Sequence, residues 1–497
     1  MRLVAVFAAL FSCPALAATW DIVPELSVRE TYTDNVALVP DATKQSAWVT
    51  QVIPGISITA TGARLKFNAT YAPEFTYYDY AQGQHDSRVF QRGSATANAE
   101  VLEKFLFVDA GAKVDQVNVA PQGPIALANI YTTGNLATVK TLFASPYVRH
   151  DFGSAVQAVA RYTYSAMNTD NNTALPNSVS DRANLRLQSG PAYRLFTWNL
   201  EYAWENIDYE IGPDTAIEVV KADARQLITP TIDLLAQVGY EYYRSGISAL
   251  PSEGPSWSAG WDWRPSQRTH LTATAGQRFY GNTFFLDFAH ATRLTTWGAG
   301  YSQNVTTTRT DMFSPSTTST IGYLDTLFSS RFPDKDARQN EVEQFIARTG
   351  IPAGLNTPIN FFSPQVLLAK TWQGSAGILG VNNVIIGNVF SRTTEGLSGD
   401  QVLPMAPDAS IQSGTSLLWN WRMTSRTAWN MIAAYTRIET PSTGKIDNLT
   451  NVGMGLTRQF QPRLSGSLSY RHQQNESTAV GAEYKENAAI ASIRMRF

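Results

Sequence analysis

The feature that most constrains this chain is hydrophobicity that alternates at every second residue over long segments. Between Arg64 and Tyr78, apolar side chains occupy one face of an extended chain and polar side chains occupy the other. The apolar set is Leu65, Phe67, Ala69, Tyr71, Phe75 and Tyr77, and the polar set is Arg64, Lys66, Asn68, Thr70, Glu74 and Thr76. A period of two is typical of β-strands, whose successive side chains point to opposite faces. The chain is therefore expected to be all-β.

The alternating segments are too long for an ordinary soluble β-sandwich. Sandwich strands usually run about 5 to 6 residues, whereas these run about 11 to 15, which is enough to cross a bilayer at a tilt. Very short turns alternate with long polar loops, as expected of outer-membrane barrels. Lipid cannot satisfy backbone polar groups, so an exposed sheet must close on itself. We predict a transmembrane antiparallel β-barrel of about 22 strands, with 18 to 22 compatible with the pattern.

The N-terminal residues indicate export. Arg2 is followed by an apolar run from Leu3 to Phe11 and then by Ala15-Leu16-Ala17, a small-residue cleavage pattern. The apolar run is well short of the roughly 20 residues that a membrane-spanning helix needs. We therefore predict a signal peptide over residues 1–17, and the outer membrane as the destination.

The only cysteine, Cys13, lies inside this predicted signal peptide. It resembles a lipoprotein cleavage site, but Phe11 and Pro14 fit that alternative poorly. Ordinary cleavage would leave a mature protein with no cysteine, which excludes disulfides, thiolate metal sites and cysteine nucleophiles.

The rest of the chain, residues 18–497, is interpreted as one domain. No Pro/Gly/Ser-rich linker and no repeat of 20 to 50 residues divides it. The 39 Lys and Arg residues are scattered and balanced by 41 Asp and Glu residues, so nucleic acid is not expected as a partner. Outer-membrane lipid is the expected surrounding.

One long interruption breaks the alternation, over residues 306–360. Within it, residues 334–349 have the pattern of a helix that begins at the cap Asp334 and ends before Gly350. Long loops with their own helix tend to be functional. The apolar stripe of this helix needs a partner surface, which predicts either a plug in the lumen or a cap on the extracellular mouth. The alternative is a helix that lies on the surface in contact with solvent. The plug or gate residues would be Asp334, Val342, Phe345 and Ile346.

The last strand carries the most specific signal. Its apolar face is Ala489, Ala491, Ile493, Met495 and the terminal Phe497, and its other face includes Ser492, Arg494 and Arg496. A last strand that ends in Phe resembles the assembly signal of outer-membrane barrels. That resemblance implies the barrel-assembly machinery as the partner for membrane insertion.

The inward face is predicted to carry charges of both signs. The lumen candidates are Arg64, Lys66, Glu74, Glu201, Glu205, Glu241, Arg494 and Arg496. Mixed signs argue against a strongly ion-selective pore, and most of these charges are expected to be solvated or paired across strands. Inward aromatic residues such as Tyr78 and Tyr243 would suit sugar rings.

No catalytic, cofactor or metal site is predicted. The five histidines, His85, His150, His270, His290 and His472, show no metal-ligand spacing. His85-Asp86-Ser87 contains three residue types of a catalytic triad, but adjacent residues in a short loop point in different directions. No phosphate-binding glycine loop is present in the sequence either.

Several stretches together carry a family resemblance. They are Glu30-Thr31-Tyr32-Thr33-Asp34-Asn35-Val36, Arg293-Leu294-Thr295-Thr296-Trp297 with Tyr301-Ser302 and Thr306 to Arg309, Phe332-Pro333-Asp334, and Tyr484-Lys485-Glu486-Asn487-Ala488 to Phe497. The chain resembles the outer-membrane β-barrel proteins associated with PEP-CTERM/exosortase systems, which occur with exopolysaccharide biosynthesis genes. The resemblance spans nearly the whole mature chain.

The resemblance implies a role in exopolysaccharide export or surface assembly, with polysaccharide and periplasmic export components as partners. It brings no catalytic residues, so a non-enzymatic barrel is the leading hypothesis. A general porin or small-solute channel is the first alternative, and an outer-membrane hydrolase is the second.

Overall fold

The computed structural model describes the mature region of the chain with a few gaps. The described residues are 18–81, 83–120, 123–170, 175–245, 252–313, 324, 325, 328, 338, 342, 359, 365–398, 401–405 and 409–497. The predicted signal peptide, residues 1–17, lies outside them.

Nearly all of the described chain is antiparallel sheet. The first strands are Thr19–Thr33 (β1), Ala47–Thr61 (β2), Leu65–Tyr71 (β3), Glu74–Tyr80 (β4), His85–Phe90 (β5), Gly93–Leu102 (β6), Leu106–Asn118 (β7), Leu136–Phe152 (β8), Val156–Thr169 (β9), Ser178–Ser189 (β10), Phe196–Tyr209 (β11), Thr215–Thr229 (β12) and Ile232–Ser245 (β13). They are followed by Ser252–Ser266 (β14), Thr269–Arg278 (β15), Gly281–Ala291 (β16), Thr295–Thr306 (β17), Leu367–Leu379 (β18), Asn383–Ser398 (β19), Gln401–Leu403 (β20), Ser410–Arg422 (β21), Thr427–Thr440 (β22), Lys445–Gln461 (β23), Leu464–Ser477 (β24) and Tyr484–Arg496 (β25).

The sheet closes into a barrel because its first and last strands pair. β1 pairs with β25 from Glu25 opposite Arg496 to Thr33 opposite Ala488, while its other edge pairs with β2 along its whole length. A closed sheet leaves no unpaired edge for lipid to contact. This pairing confirms the predicted fold class.

The barrel has 22 crossing strands, the number predicted from the sequence. β3 and β4 both pair with β2 and together span the barrel wall once, so they count as one strand of the barrel. β5 and β6 pair with them in turn and also count as one. Pro73 lies in the break between β3 and β4, where its missing N–H removes a ladder hydrogen bond. β20 pairs only with the end of β19, beyond the wall of the barrel.

The two ends of the barrel differ in the length of their connections. At one end all connections are short: 62–64, 103–105, 153–155, 190–195, 230–231, 267–268, 292–294, 380–382, 423–426 and 462–463. The other end carries the long ones: 34–46, 119–135, 170–177, 246–251, 307–366 and 399–409. Short turns mark the periplasmic end of such barrels and long loops the extracellular end. Both β1 and β25 reach the periplasmic end with their terminal residues.

The outward face is the apolar face predicted from the alternation. Trp257, Trp261 and Trp263 of β14 are exposed on it, next to equally exposed apolar side chains of the neighbouring strands. Near the extracellular ends, outward tyrosines keep their hydroxyls bonded, as Tyr435 does to Asn448 at 2.8 Å. An apolar band with polar-tipped aromatic rings at its border is the surface that lipid requires.

Helical structure is confined to loops in the described part of the chain. A short 3-10 helix spans Asp41–Thr43, and a helix that we call α1 spans Thr308–Phe313, directly after β17. Among the described residues, no helix is long and apolar enough to cross a membrane. The connection from β17 to β18 covers residues 307–366, which we call the insertion, so it is slightly longer than the predicted 306–360.

Candidate functional site

The inner wall carries an apolar patch close to the periplasmic end. It consists of Val384 and Ile386 of β19, Leu418 of β21 and Ile432 of β22. Their side chains point inward because they alternate with outward residues such as Val389 and Leu417, which are exposed. Apolar residues on the lumen side of a barrel are costly in water, so this patch requires a covering partner.

The covering partner is the insertion. Leu324, Phe328 and Val342 are buried against this patch, and Val342 is 2% exposed. The insertion leaves the wall at the extracellular end, after β17, yet these residues contact the wall near its periplasmic end. Leu324, Phe328 and Val342 of the insertion therefore lie inside the lumen.

Helical conformation is found at each of the described positions in the middle of the insertion. Arg338 and Val342 are helical, within the region predicted as a helix over residues 334–349. Arg338 forms an ion pair with Asp325 at 2.8 Å, which joins two parts of the insertion. The predicted gate residues Asp334, Phe345 and Ile346 lie outside the described residues.

A buried arginine ties the start of the insertion to the opposite wall. Arg309, on α1, is 2% exposed, and its guanidinium donates hydrogen bonds to Ser178 Oγ at 2.9 Å and to Ser165 Oγ at 2.9 Å. Glu205 lies 3.9 Å from it and supplies the opposite charge. Because Ser165, Ser178 and Glu205 lie on β9, β10 and β11, several strands away from β17, this contact crosses the lumen. We call it the Arg309 latch.

A side chain of the wall bonds to the backbone near the end of the insertion. Gln412, an inward residue of β21, accepts a hydrogen bond from the backbone N–H of Ile359 and donates one to its carbonyl, both at 2.8 Å. The side-chain amide of Gln412 thus bonds to the backbone of Ile359 with one donor and one acceptor, as the backbone of a neighbouring strand would. Ile359 also packs on the apolar cluster of the extracellular mouth.

The loop over residues 119–135 contributes Ile125, Ala126, Ile130 and Tyr131 to that cluster, where they pack on residues of the inner wall. Tyr131 is completely buried and donates to Gln473 at 3.2 Å, while Gln473 donates to the carbonyl of Ile125 at 2.8 Å. Burial raises the pKa of the Tyr131 phenol, so the hydroxyl stays protonated and remains a donor. Asn129 reaches the inward Glu74 at 3.3 Å. The described residues of this loop and Ile359 of the insertion thus pack on the inner wall of β22 to β25, β2 and β4 near the extracellular end.

The predicted lumen charges lie at separate places on the inner wall, and most have partners. Glu74, Glu201, Glu205 and Glu241 bond to inward neighbours such as Gln51, Asn184, Ser180 and Arg278, and Arg496 pairs with Glu25 at 2.8 Å. Lys66 and Arg494 also face inward, on β3 and β25. Arg64 is an exception, because β3 begins only at Leu65. It lies in the periplasmic turn and pairs with Glu103 of the next turn at 2.9 Å.

The side of the lumen along β10 to β17 is polar and leaves space. A cavity of about 690 Å³ follows this wall from Gln188 and Thr197 near the periplasmic end to Arg278 and Asn304 near the extracellular end. Asn199, Asp223 and Gln237 form a hydrogen-bonded row inside it, at 2.9 and 2.6 Å. The cavity lies within the about 300–1,000 Å³ range of ligand pockets.

The histidines do not form a relay among the described residues. His270 is closest to one, because its Nε2 lies 3.0 Å from Asp262 Oδ1 and 3.0 Å from Thr272 Oγ1. A general base takes a proton on one ring nitrogen while the acid holds the other. Asp262 and Thr272 both lie beside Nε2, and the acid beside Nδ1, Asp287, is 3.8 Å away, which is longer than a hydrogen bond. This geometry therefore does not couple an acid, the imidazole and the hydroxyl in series. The described residues contain no group of His, Cys, Asp and Glu that could hold a metal ion.

The predicted assembly face lies where the alternation placed it. Ile493, Met495 and Phe497 are exposed on the outer surface. Ala489 and Ala491 lie on the same face of β25, because they also occupy odd-numbered positions of the strand. The backbone N–H of Phe497 donates to the carbonyl of Pro24 at 3.0 Å, next to the seam between β25 and β1.

Sequence reasoning missed Arg309 and the apolar inner patch. Arg309 stands in a threonine-rich stretch with no local sign that its partners lie more than a hundred positions earlier. The patch had a readable signal, because Val384 and Ile386 are apolar on both sides of Ile385, which breaks the polar-in, apolar-out alternation.

Comparisons with known proteins support the architecture. No protein-family model and no curated protein sequence matches this chain. The ferric-catecholate import receptor Fiu of E. coli K12, in its closed form, matches with a TM-score of 0.51 at 10% identity, over 96% of this chain and 82% of that one. The siderophore receptor PirA of Acinetobacter baumannii matches with a TM-score of 0.49 at 9% identity, over 96% and 81%. OccK5 (OpdH) of Pseudomonas aeruginosa matches with a TM-score of 0.35 at 9% identity, over 96% and 98%.

Identities of this size show the fold alone. Together with the closed sheet and the apolar outer band, that fold defines the class: this protein is a β-barrel of the Gram-negative outer membrane.

Proposed function

We propose that this protein is a gated, non-enzymatic conduit that exports polysaccharide or assembles it at the cell surface, with the insertion as its plug. The proposal of a gate rests on the burial of Leu324, Phe328 and Val342 against the inner wall near the periplasmic end. A segment that enters at the extracellular end and contacts the periplasmic end must share the cross-section of the lumen with any solute.

The described residues of the insertion meet the wall at separate places along the lumen. These places include the Arg309 latch, the contact of Gln412 with Ile359 and the apolar patch that buries Leu324, Phe328 and Val342. A gate opens when contacts of this kind break while the wall stays intact, and the wall strands are bonded along their length.

Polysaccharide is proposed as the cargo for two reasons. The motifs at Glu30 to Val36 and Tyr484 to Phe497 resemble barrels associated with exopolysaccharide genes. In addition, the free side of the lumen presents amides and hydroxyls, such as Asn199, Gln237 and Thr274, which match the hydroxyl groups of sugars.

A small-solute channel is the second candidate, because the cavity of about 690 Å³ runs along the wall beside the plug. Such a channel would pass small polar molecules without movement of the insertion.

A strain that lacks this protein tests the cargo. We expect polysaccharide to accumulate in the periplasm and to fall at least severalfold in the medium and on the surface, with recovery on complementation by the intact chain. Fractionation followed by total sugar analysis measures both pools. Unchanged secretion together with slower uptake of small sugars would contradict export and support the small-solute channel.

A further inference from the structure

A second cavity, of about 340 Å³, lies at the periplasmic end of the wall formed by β18 to β25. Its floor is formed by the turns 380–382, 423–426 and 462–463, and Phe328 of the insertion forms part of its wall. Five arginines line it: Arg422, Arg426, Arg463, Arg494 and Arg496. We call this cavity the arginine pocket.

The positive charge of the arginine pocket is only partly compensated. Arg496 pairs with Glu25 at 2.8 Å. Arg422 donates to the carbonyl of Val381 at 2.8 Å, which satisfies a donor but adds no negative charge. Among the described residues that line the pocket, none is Asp or Glu. The described lining therefore carries a clear excess of positive charge.

A second arginine group at the same end of the barrel shows the opposite arrangement. Arg225 and Arg264 both contact Asp233, and Arg225 lies 2.9 Å from Asp262. Both carboxylates are almost fully buried between the two guanidinium groups. There the protein supplies its own anions, whereas the described residues that line the arginine pocket include no carboxylate.

The arginine pocket also lies on the route into the barrel. Arg422, Arg494 and Arg496 point inward from β21 and β25, so a ligand bound to them occupies the lumen and not only its rim. Phe328 places the same ligand against the plug.

We propose that the arginine pocket binds carboxylate groups of an acidic polysaccharide as it enters the barrel from the periplasm. The inference rests on the proposed function and narrows its cargo to chains that bear uronate or similar carboxylates. The planar guanidinium matches a carboxylate with two parallel hydrogen bonds, which makes arginine the fitting residue for this anion. A linear polysaccharide fits this site better than a folded protein, because the site is a cavity on the lumen side of the barrel wall.

The test is calorimetric titration of the full-length protein in detergent with hexagalacturonate, and with maltohexaose as the uncharged chain of similar length. We expect hexagalacturonate to bind, maltohexaose to bind at least about tenfold more weakly, and added salt to weaken the hexagalacturonate signal. The double variant Arg463→Gln with Arg494→Gln is expected to lower the affinity for hexagalacturonate at least about tenfold.

The matched control is Arg64→Gln, which removes an exposed arginine from another periplasmic turn and should leave the affinity within about twofold. Arg463→Gln alone, in a turn, gives a second variant in case the double variant does not fold. Equal affinity of the wild type and the Arg463 variants, or equal binding of both sugars, overturns the proposal. Tighter binding of hexaglutamate than of hexagalacturonate also overturns it, in favour of an acidic protein segment.

This experiment needs no conductance and no export. If the insertion proved not to be a gate, the titration would still show whether the arginine pocket binds hexagalacturonate. The failure of one proposal is therefore distinguishable from the failure of the other.

Discussion

At the scale of single residues, the lumen combines a few buried polar contacts with an apolar patch. Arg309 is a central residue of the insertion, because its guanidinium is buried and its hydrogen-bond acceptors are on the opposite wall. A buried guanidinium without partners would be strongly unfavourable, so the helix that carries it is fixed where Ser165, Ser178 and Glu205 meet.

Arg309→Met is expected to release the start of the insertion while the barrel stays folded. Methionine keeps much of the volume but loses the charge-assisted hydrogen bonds, and the smaller desolvation cost offsets part of that loss. We expect a net change of about 2 kcal/mol, or roughly thirtyfold in the equilibrium between the held and released segment. The rate of limited proteolysis within residues 307–366 measures it.

Arg182→Met is the matched control, since Arg182 faces the same lumen and lies 4.0 Å from the same Glu205 but is half exposed. Its cleavage rate should stay close to that of the wild type. Equal rates in both variants would mean that Arg309 does not hold the insertion.

Gln473 offers a second prediction at this scale. It is completely buried and joins Tyr131, Tyr484 and the carbonyl of Ile125 in one network. Gln473→Ala removes the acceptor of the buried Tyr131 hydroxyl, while Tyr484 still donates to the carbonyl of Ile125, so the anchoring of the loop over residues 119–135 should weaken by about 1–3 kcal/mol. Hydrogen exchange of that loop should then be faster.

Gln474→Ala is the control for this change, because the next side chain in β24 points outward and bonds only to Glu476. If the two variants exchange alike, the loop is held by its apolar contacts and not by this network.

At the scale of elements, the strands were readable from the sequence and the insertion was not. Alternation gives each strand its inner and outer face, so the faces of β3 and β4 follow from the local pattern. The placement of the insertion depends on contacts between distant parts of the chain, since Val342 and Ile386 share one buried cluster, and no local period in the sequence records such contacts. The sequence predicted a helix that needs a partner surface, but it left open which surface.

The last strand carries a prediction of its own. Deletion of Phe497 is expected to lower the yield of assembled barrel severalfold, because it removes both the proposed assembly signal and a backbone bond to Pro24 beside the seam. The fraction of protein that migrates as a folded barrel on an unheated gel measures the yield.

Phe460→Ala is the control, since Phe460 is equally exposed on the outer face of β23 but lies away from the seam. An equal loss in both variants would mean that the effect is one of lipid contact and not of a terminal signal.

At the scale of the whole molecule, the lumen has two sides with different roles. Described residues of the insertion and of the loop over residues 119–135 cover the wall along β19 to β25, β2 and β4, and the side along β10 to β17 holds the polar cavity. Closure of the sheet fixes the cross-section, so any large solute needs the space that the insertion occupies. The central claim is therefore that the insertion shuts the barrel.

Single-channel conductance in planar bilayers tests that claim most directly. The refolded protein is compared with a variant that lacks residues 334–349, a deletion that removes Val342 from the inner patch. The account predicts that the intact barrel is silent or opens only briefly and that the deletion variant conducts steadily. Steady conductance of the intact barrel, or silence of both proteins, would contradict it.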